Sequence, residues 1–285
     1  MIATLPQGRW LRRVLTAYAV VFFAFLFLPL GVVAVFAFHD AAHPSPPWMG
    51  WTLQWFVGQS EARVGLLHDA ALLRSLAVST WVATWVALLS VVVGTCNAWL
   101  LERACFPGKP LLVLLTLAPL VIPGVVLGIS ILAFASRVAN GLEAWLGWEV
   151  SWLRPGLPLV VLGQFSYIAT IATLTIAARL RRIDPGWEDA ALDLGATRWQ
   201  VWWTIVFPYL RPAMVGAAAM AFVMSFENFN TTLMLVGSEP PLTILMYGRM
   251  REGSTPVLNA VSVLLMLGSA LVALILYWRS RRATG

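Results

Sequence analysis

Lysine is almost missing from this chain: Lys109 is the only one, in Pro107-Gly108-Lys109-Pro110, and no Ser or Thr follows it. That excludes a phosphate loop of the Gly-x-x-x-x-Gly-Lys-Ser/Thr type, and with it a recognisable means of binding ATP. Charge of either sign is also scarce, at 11% of 285 residues. Cysteine is limited to Cys96 and Cys105, too few for a disulfide framework, so both are read as free thiols. His39, Asp40 and His43 stand close together, but no third His or Cys is near in sequence. A solvated loop is the better reading there, and no metal site is expected. The chain has no nucleophile elbow, zinc-binding His-Glu-x-x-His or Ser-x-x-Lys motif, so an enzyme reading finds no support.

What fills the space is apolar: 60% of the residues are hydrophobic and the mean hydropathy is +0.80. That is the composition of a polytopic membrane protein. A crossing helix needs about 20 mainly apolar residues, and six segments qualify, near 14–38, 73–101, 111–135, 156–178, 212–236 and 256–278. The expected fold is an all-α membrane protein forming one transmembrane domain over 1–285. The first segment is too long for a signal-peptide core and lacks a cleavage signature, so it reads as an uncleaved anchor.

Orientation follows from arginine. With the N-terminus inside, thirteen of the nineteen basic residues fall on inner segments, from Arg9, Arg12 and Arg13 to Arg279, Arg281 and Arg282. The positive-inside rule then places both termini in the cytoplasm. The net charge of +6 is thus a matter of topology and gives no reason to expect nucleic acid. Of the fifteen tryptophans, Trp10, Trp48, Trp51, Trp55, Trp145, Trp148, Trp152 and Trp278 fall near segment ends, where aromatic belts form. Trp81, Trp85 and Trp99 lie within the second span and read as lipid-facing or packing residues. Residues 51–57 of the long first outer loop are expected to form a short helix, and Pro119, Pro123, Gly124 and Gly128 fit either kinks or close helix packing.

Between spans four and five lies a polar, helix-forming run, Ile183 to Pro208. Asp184 is suited to cap a helix that starts at Pro185, with Glu188 and Asp189 at its positive end. Gly195 suits a left-handed C-cap, and Thr197 with Gln200 has capping-box spacing. The run reads as helix, turn, second helix, stop at Pro208. The second helix carries an apolar stripe through Trp199, Trp202 or Trp203, and Val206, suited to a membrane surface or a partner's groove.

Asp189, Ala190, Ala191, Gly195, Ile205 and Pro208 stand at the spacing of the EAA loop of binding-protein-dependent ABC importer permeases, which this region resembles. Asp189 replaces the usual Glu, and Phe207 the usual Leu. The resemblance implies a cytoplasmic coupling loop over 183–208, with Glu188, Asp189, Ala190, Ala191, Gly195, Ala196, Thr197, Ile205 and Pro208 coupling to an ATPase.

The fifth segment contains Ser225-Phe226-Glu227-Asn228-Phe229-Asn230-Thr231-Thr232. A carboxylate at mid-membrane depth costs about 3 kcal/mol on insertion scales, so Glu227 is expected to face a wet path or a partner helix. Counting from Pro212, it lies about 22 Å from the inner end. Asn228, Asn230, Tyr167 and Gln164 are the other candidate path residues; hydrogen-bonded helix packing would account for the same cluster.

The region from Ser225 to the Pro256-Val257-Leu258-Asn259-Ala260 element resembles the spermidine/putrescine branch of the same permeases, in which Ile244 to Tyr247 would be strand-like. That branch commonly carries an acidic pair where this chain has Glu227-Asn228, so one negative charge is lost.

The resemblance implies a multi-pass subunit of a bacterial inner membrane that moves a polyamine or related amine by alternating access. It implies a second permease, a homologous but different chain, with an ATPase dimer binding ATP and Mg, and an external solute-binding protein. This chain would hold no cofactor. A proton-coupled carrier using Glu227, a membrane scaffold, and a permease of the same family for another small organic solute are the alternatives. No internal repeat supports the carrier.

Overall fold

A computed structural model describes residues 8–60, 63–147, 149–253 and 255–284, with side chains described as far as Leu271 and at Leu274. Among the described residues the architecture is all-α apart from one hairpin of two two-residue strands. Among them five helices are long and apolar enough to cross a membrane by length and composition, and Lys109–Val121 and Pro256–Leu271 are shorter apolar helices. The chain divides into two units, one comprising Met1–Leu73 with Met246–Gly285, the other Arg74–Leu245.

In the first unit, α1 (Arg9–Phe36) buries none of its residues. A helix apolar all round and uncovered by protein is suited to a lipid surround. It packs against α12 (Pro256–Thr284), whose first turns bury Val257, Leu258, Ala260 and Val261. Between α1 and the next long helix lie α2 (Gln54–Val57) and the hairpin of β1 (Gln59–Ser60) and β2 (Arg63–Val64). The helix expected over 51–57 is thus confined to its last turn.

His39 is not solvated as expected. Its side chain is fully buried against Phe36 and Trp48, and its carbonyl accepts the Trp55 indole N–H at 2.8 Å. Aromatic burial outweighs the polarity of the ring, while Asp40 pairs with Arg63. Among the described residues there is no group of three or more metal-ligating side chains.

Asp69 opens α3 (Ala70–Arg103) by accepting from the Leu72 amide at 3.0 Å, and takes both ends of the Arg249 guanidinium, one at 3.0 Å. Arg249 belongs to α11 (Leu242–Glu252), a helix where residues 244–247 were expected to be strand-like. Pro241 at its threshold sets the turn, its carbonyl accepting the amides of Ile244 and Leu245 at 3.0 and 3.1 Å.

The second unit is built around α6 (Leu157–Leu180), thirteen of whose residues are buried. One apolar cluster joins Val82, Val86, Leu159, Val160, Ile168, Ala221 and Leu235; another joins Ala98, Ile176, Leu180, Ile183, Val201, Val206 and Leu210.

Two expected spans differ from their sequence boundaries. Segment 111–135 is two helices, α4 (Lys109–Val121) and α5 (Gly124–Leu146), because Pro123 holds Ile122 extended at φ −79°, ψ 127°. Pro208, expected to stop a helix, lies inside one. Helix α8 (Arg198–Val201) passes through a π-turn at Trp202–Val206 into α9 (Phe207–Phe226). The Phe207 amide bonds Trp202 O there, a wider turn that accommodates a proline ring with no N–H to offer. Segment 212–236 is likewise broken: α9 ends at Phe226, residues 227–231 are non-helical, and α10 (Thr232–Leu235) follows.

Burial alone would raise the Asp69 carboxyl, but Arg249 and the amides of Leu72 and Ala71 hold it below the usual carboxylate range. Stability from this lowered group is present above about pH 4 and is lost as pH falls through the lowered value. Asp69→Asn should cost about 2 kcal/mol at neutral pH and flatten this acid dependence. Thermal unfolding from pH 7 to pH 3 checks it; an unchanged acid limb in the variant would contradict the assignment.

Candidate functional site

The first candidate region is the hairpin of α7 (Pro185–Asp193) and α8. Its local chemistry is as expected: Asp184 Oδ1 accepts from the Gly186 amide at 2.9 Å, with Pro185 in the first helical turn. The exit is a double-bonded left-handed cap, with Gly195 N to Leu192 O at 2.9 Å and Ala196 N to Ala191 O at 3.1 Å. Gly195 sits at φ +87°, and a Cβ there would meet nothing within 4 Å, so its constraint is torsional. Thr197 and Gln200 form the reciprocal capping box.

The hairpin divides its side chains cleanly. Ile183, Val201 and Val206 are buried in the second cluster, with Ala191, Ala196, Trp202 and Ile205 packed against it. Asp189, Ala190, Gly195, Thr197 and Pro208 are exposed. So are Trp187, Trp199 and Leu194, the last 89% exposed at the tip. An apolar knob flanked by two tryptophans, on a helix whose other face is anchored, is suited to docking into a groove.

Glu188, named from sequence among the ATPase-coupling residues, is turned inward. It accepts from Arg103 Nε at 2.9 Å, and both side chains are largely buried, 14% and 16% exposed. Arg103 also donates to Ile183 O at 3.1 Å. Nothing in the sequence beyond its position at the end of a span singles Arg103 out.

The second region is the break after α9. Asn228 Nδ2 donates to Tyr167 OH at 2.6 Å, and its Oδ1 accepts from the amide and hydroxyl of Thr232 at 3.2 and 2.8 Å. Gln164, 1% exposed, donates to Thr232 Oγ1 at 2.7 Å and accepts from the Ser225 hydroxyl. Thr243 donates to Asn228 O at 3.0 Å. Five of these polar side chains, Gln164 and Tyr167 on α6 with Ser225, Asn228 and Thr232 around the break, therefore fasten the break to α6, and Gln164 and Asn228 are structural ties whose hydrogen-bonding groups are engaged.

The segment sits in a cradle of glycines. A Cβ on Gly128 would lie 3.0 Å from Thr231 O, one on Gly124 3.1 Å from Asn230 Cβ, and one on Gly163 would overlap Leu235 Cδ1. Close packing, rather than kinking, is the use of Gly124 and Gly128; Gly163 has the same role and gave no signal of its own.

Glu227 and Asn230 remain exposed. The Glu227 side chain has no hydrogen bond or ion pair among the described residues, while its backbone amide donates to Val223 O at 3.1 Å. It caps the C-terminal end of α9, where the helix dipole is negative and carbonyls lack helical partners. Carboxylate and carbonyl oxygens together make a locus that attracts cations and repels anions.

Comparison with known proteins gives concordant results. Residues 106–284 match the family model described as binding-protein-dependent transport system inner membrane component. The chain is 27% identical to the putrescine transport system permease protein PotI of Escherichia coli (strain K12), over 92% of this chain and 88% of that one. It is 30% identical to the sulfate transport system permease protein CysT of the same strain, over 73% of this chain and 83% of that one. Its fold resembles a chain from the crystal structure of a bacterial ABC transporter involved in the import of the acidic polysaccharide alginate. The TM-score is 0.74 at 18% identity, covering 97% and 96% of the two chains.

The cap at Gly195 yields a direct test. Gly195→Val forces a β-branched residue into the left-handed region at about 2 kcal/mol, whereas Gly195→Asn is tolerated there. Hydrogen exchange at the amides of residues 195 and 196 should accelerate in the valine variant and stay near normal in the asparagine variant; equal rates in both would refute a torsional constraint.

Proposed function

Because the chain belongs to the family of binding-protein-dependent transport system inner membrane components, we propose that it is the permeation subunit of an ATP-driven importer whose solute is a small cationic amine. Permeases of this family are transport components and not enzymes. The finer reading of the solute is carried by one observation: an unpaired carboxylate, Glu227, at the negative end of a broken membrane-length helix. A small ammonium ion is stabilised by that locus, and an oxyanion is repelled. This favours the chemistry of the putrescine permease relative over that of the sulfate permease relative.

In this reading the hairpin docks on a partner ATPase through Trp187, Ala190, Leu194 and Trp199, with Asp189 at its flank. ATP and Mg belong to that partner. Closure of an ATPase pair moves the hairpin, and the spans rock to open the Glu227 path to one side and then the other. A second, homologous permease completes the path, and an external solute-binding protein delivers the amine. The assembly sits in a bacterial inner membrane with both termini of this chain in the cytoplasm.

Asn228 has a defined part here. Its amide and carbonyl groups are engaged by Tyr167 and Thr232, so it fastens the break and adds no charge to the path. Glu227 then provides the only formal charge of the 225–232 segment.

Glu227→Gln should lower ATP-dependent uptake of labelled putrescine or spermidine by about tenfold in vesicles holding the assembled complex, with assembly intact. Glu227→Asp should retain more. Uptake by Glu227→Gln equal to that of the unaltered chain would remove Glu227 from the path, and uptake driven by a proton gradient without ATP would make the protein a secondary carrier.

A further inference from the structure

We infer that Arg103 is a positioning residue that makes the docking hairpin and the end of α3 move as one body. The inference rests on the docking reading of the hairpin given above.

The last two residues of α3 both reach the corner where α6 gives way to α7. Arg181 Nε donates to Glu102 Oε1 at 2.8 Å, and Arg103 Nε donates to Glu188 Oε1 at 2.9 Å. The two pairs have opposite polarity and different surroundings. Arg181 is mostly exposed, so its pair is screened and weak. Arg103 and Glu188 are both largely buried, and Arg103 also donates to Ile183 O at 3.1 Å and to Leu180 O at 3.5 Å.

Leu180 closes α6 and Ile183 follows it, at the negative end of the helix dipole where a cation is favoured; the Leu180 carbonyl also accepts the Ile183 amide at 3.1 Å. Leu180 and Ile183 are themselves fully packed in the apolar cluster beneath the hairpin. One planar guanidinium therefore joins three elements: α3, the end of α6, and the first turn of α7. A lysine can hold Glu188 as a point charge, but it lacks the fork that takes the carboxylate and the carbonyls together.

The mechanical consequence is specific. By covalent connection the hairpin pulls only on α6, through residues 181–184, and on α9, through α8 and the π-turn. Arg103 adds α3, which is 85 residues away from Glu188 in sequence. Tilting α7 against α3 requires breaking charge-assisted bonds in a poorly hydrated place. Ala98 and Trp99 of α3 also pack against the hairpin, and the directional Arg103 bonds fix the angle that such apolar packing, which has no direction of its own, leaves free to slide.

The test uses spin labels at positions 100 and 193, both exposed, in a background where Cys96 and Cys105 are replaced by Ser. In this chain reconstituted in nanodiscs the label distance should be narrow with Arg103, broad in Arg103→Gln, and intermediate in Arg103→Lys. With the ATPase partners assembled, the unaltered chain should keep one distance with and without bound ATP. Arg103→Gln should raise the ATP hydrolysed per amine imported by about fivefold while still co-purifying with the ATPase. Arg103→Lys should recover part of that loss.

An unchanged distance distribution in Arg103→Gln overturns the positioning role, as does unaltered ATP use per amine. A normal distance in the unaltered chain, without any ATP-linked uptake, overturns the docking reading and the coupling role with it.

Discussion

Inside a membrane there is no water to satisfy a backbone amide or carbonyl, so a helix can be interrupted only where other protein groups take over. The interruption at residues 227–231 meets that condition in two ways. Asn228, Thr231 and Thr232 supply side-chain partners for the local backbone and for the facing helices, with Gln164 and Tyr167 completing the network from α6. Gly124, Gly128 and Gly163 remove the side chains that would otherwise hold the segment away. The exposed carboxylate of Glu227 depends on both, because a continuous helix would leave no C-terminal carbonyls around it.

The two candidate regions share α6 as their support. Its first half, near Gln164 and Tyr167, receives the break; its last turns, near Ile176 and Leu180, receive the hairpin. The same helix is buried along most of its length, which suits a part that passes displacement from one region to the other without bending. The helix from Arg198 to Phe226 gives a second covalent connection, since its first turn belongs to the hairpin and its last ends at Glu227. The π-turn at Trp202–Val206 is the irregular place along it, and Trp202 is pinned there edge-on to Trp99 at 5.0 Å.

What the sequence disclosed was what is local. The caps of the hairpin are set by residues two to five positions apart, and Asp184, Gly195, Thr197 and Gln200 act as their spacing implied. The broad membrane-helix architecture followed from apolar run length alone. Contacts distant in sequence were hidden: nothing near Glu188 marks its partner Arg103, which lies on another span, and the bonds of Gln164 to Ser225 and Thr232 join positions more than sixty residues apart. Hydropathy carried the fifth segment through its break because Phe229, Leu233, Met234 and Leu235 keep the stretch apolar while the backbone turns. Pro208 misled in the opposite direction, since a wider turn lets the helix pass it.

We propose that this permease carries, at Glu227, a path selective for positive charge that a partner's ATP hydrolysis opens. The most direct measurement compares uptake of labelled putrescine and labelled sulfate by vesicles holding the assembled complex and its binding protein, with ATP supplied on the side of the hairpin. A cation-selective, ATP-driven path gives ATP-dependent accumulation of putrescine and none of sulfate; accumulation of sulfate instead, or putrescine uptake indifferent to ATP, rules it out.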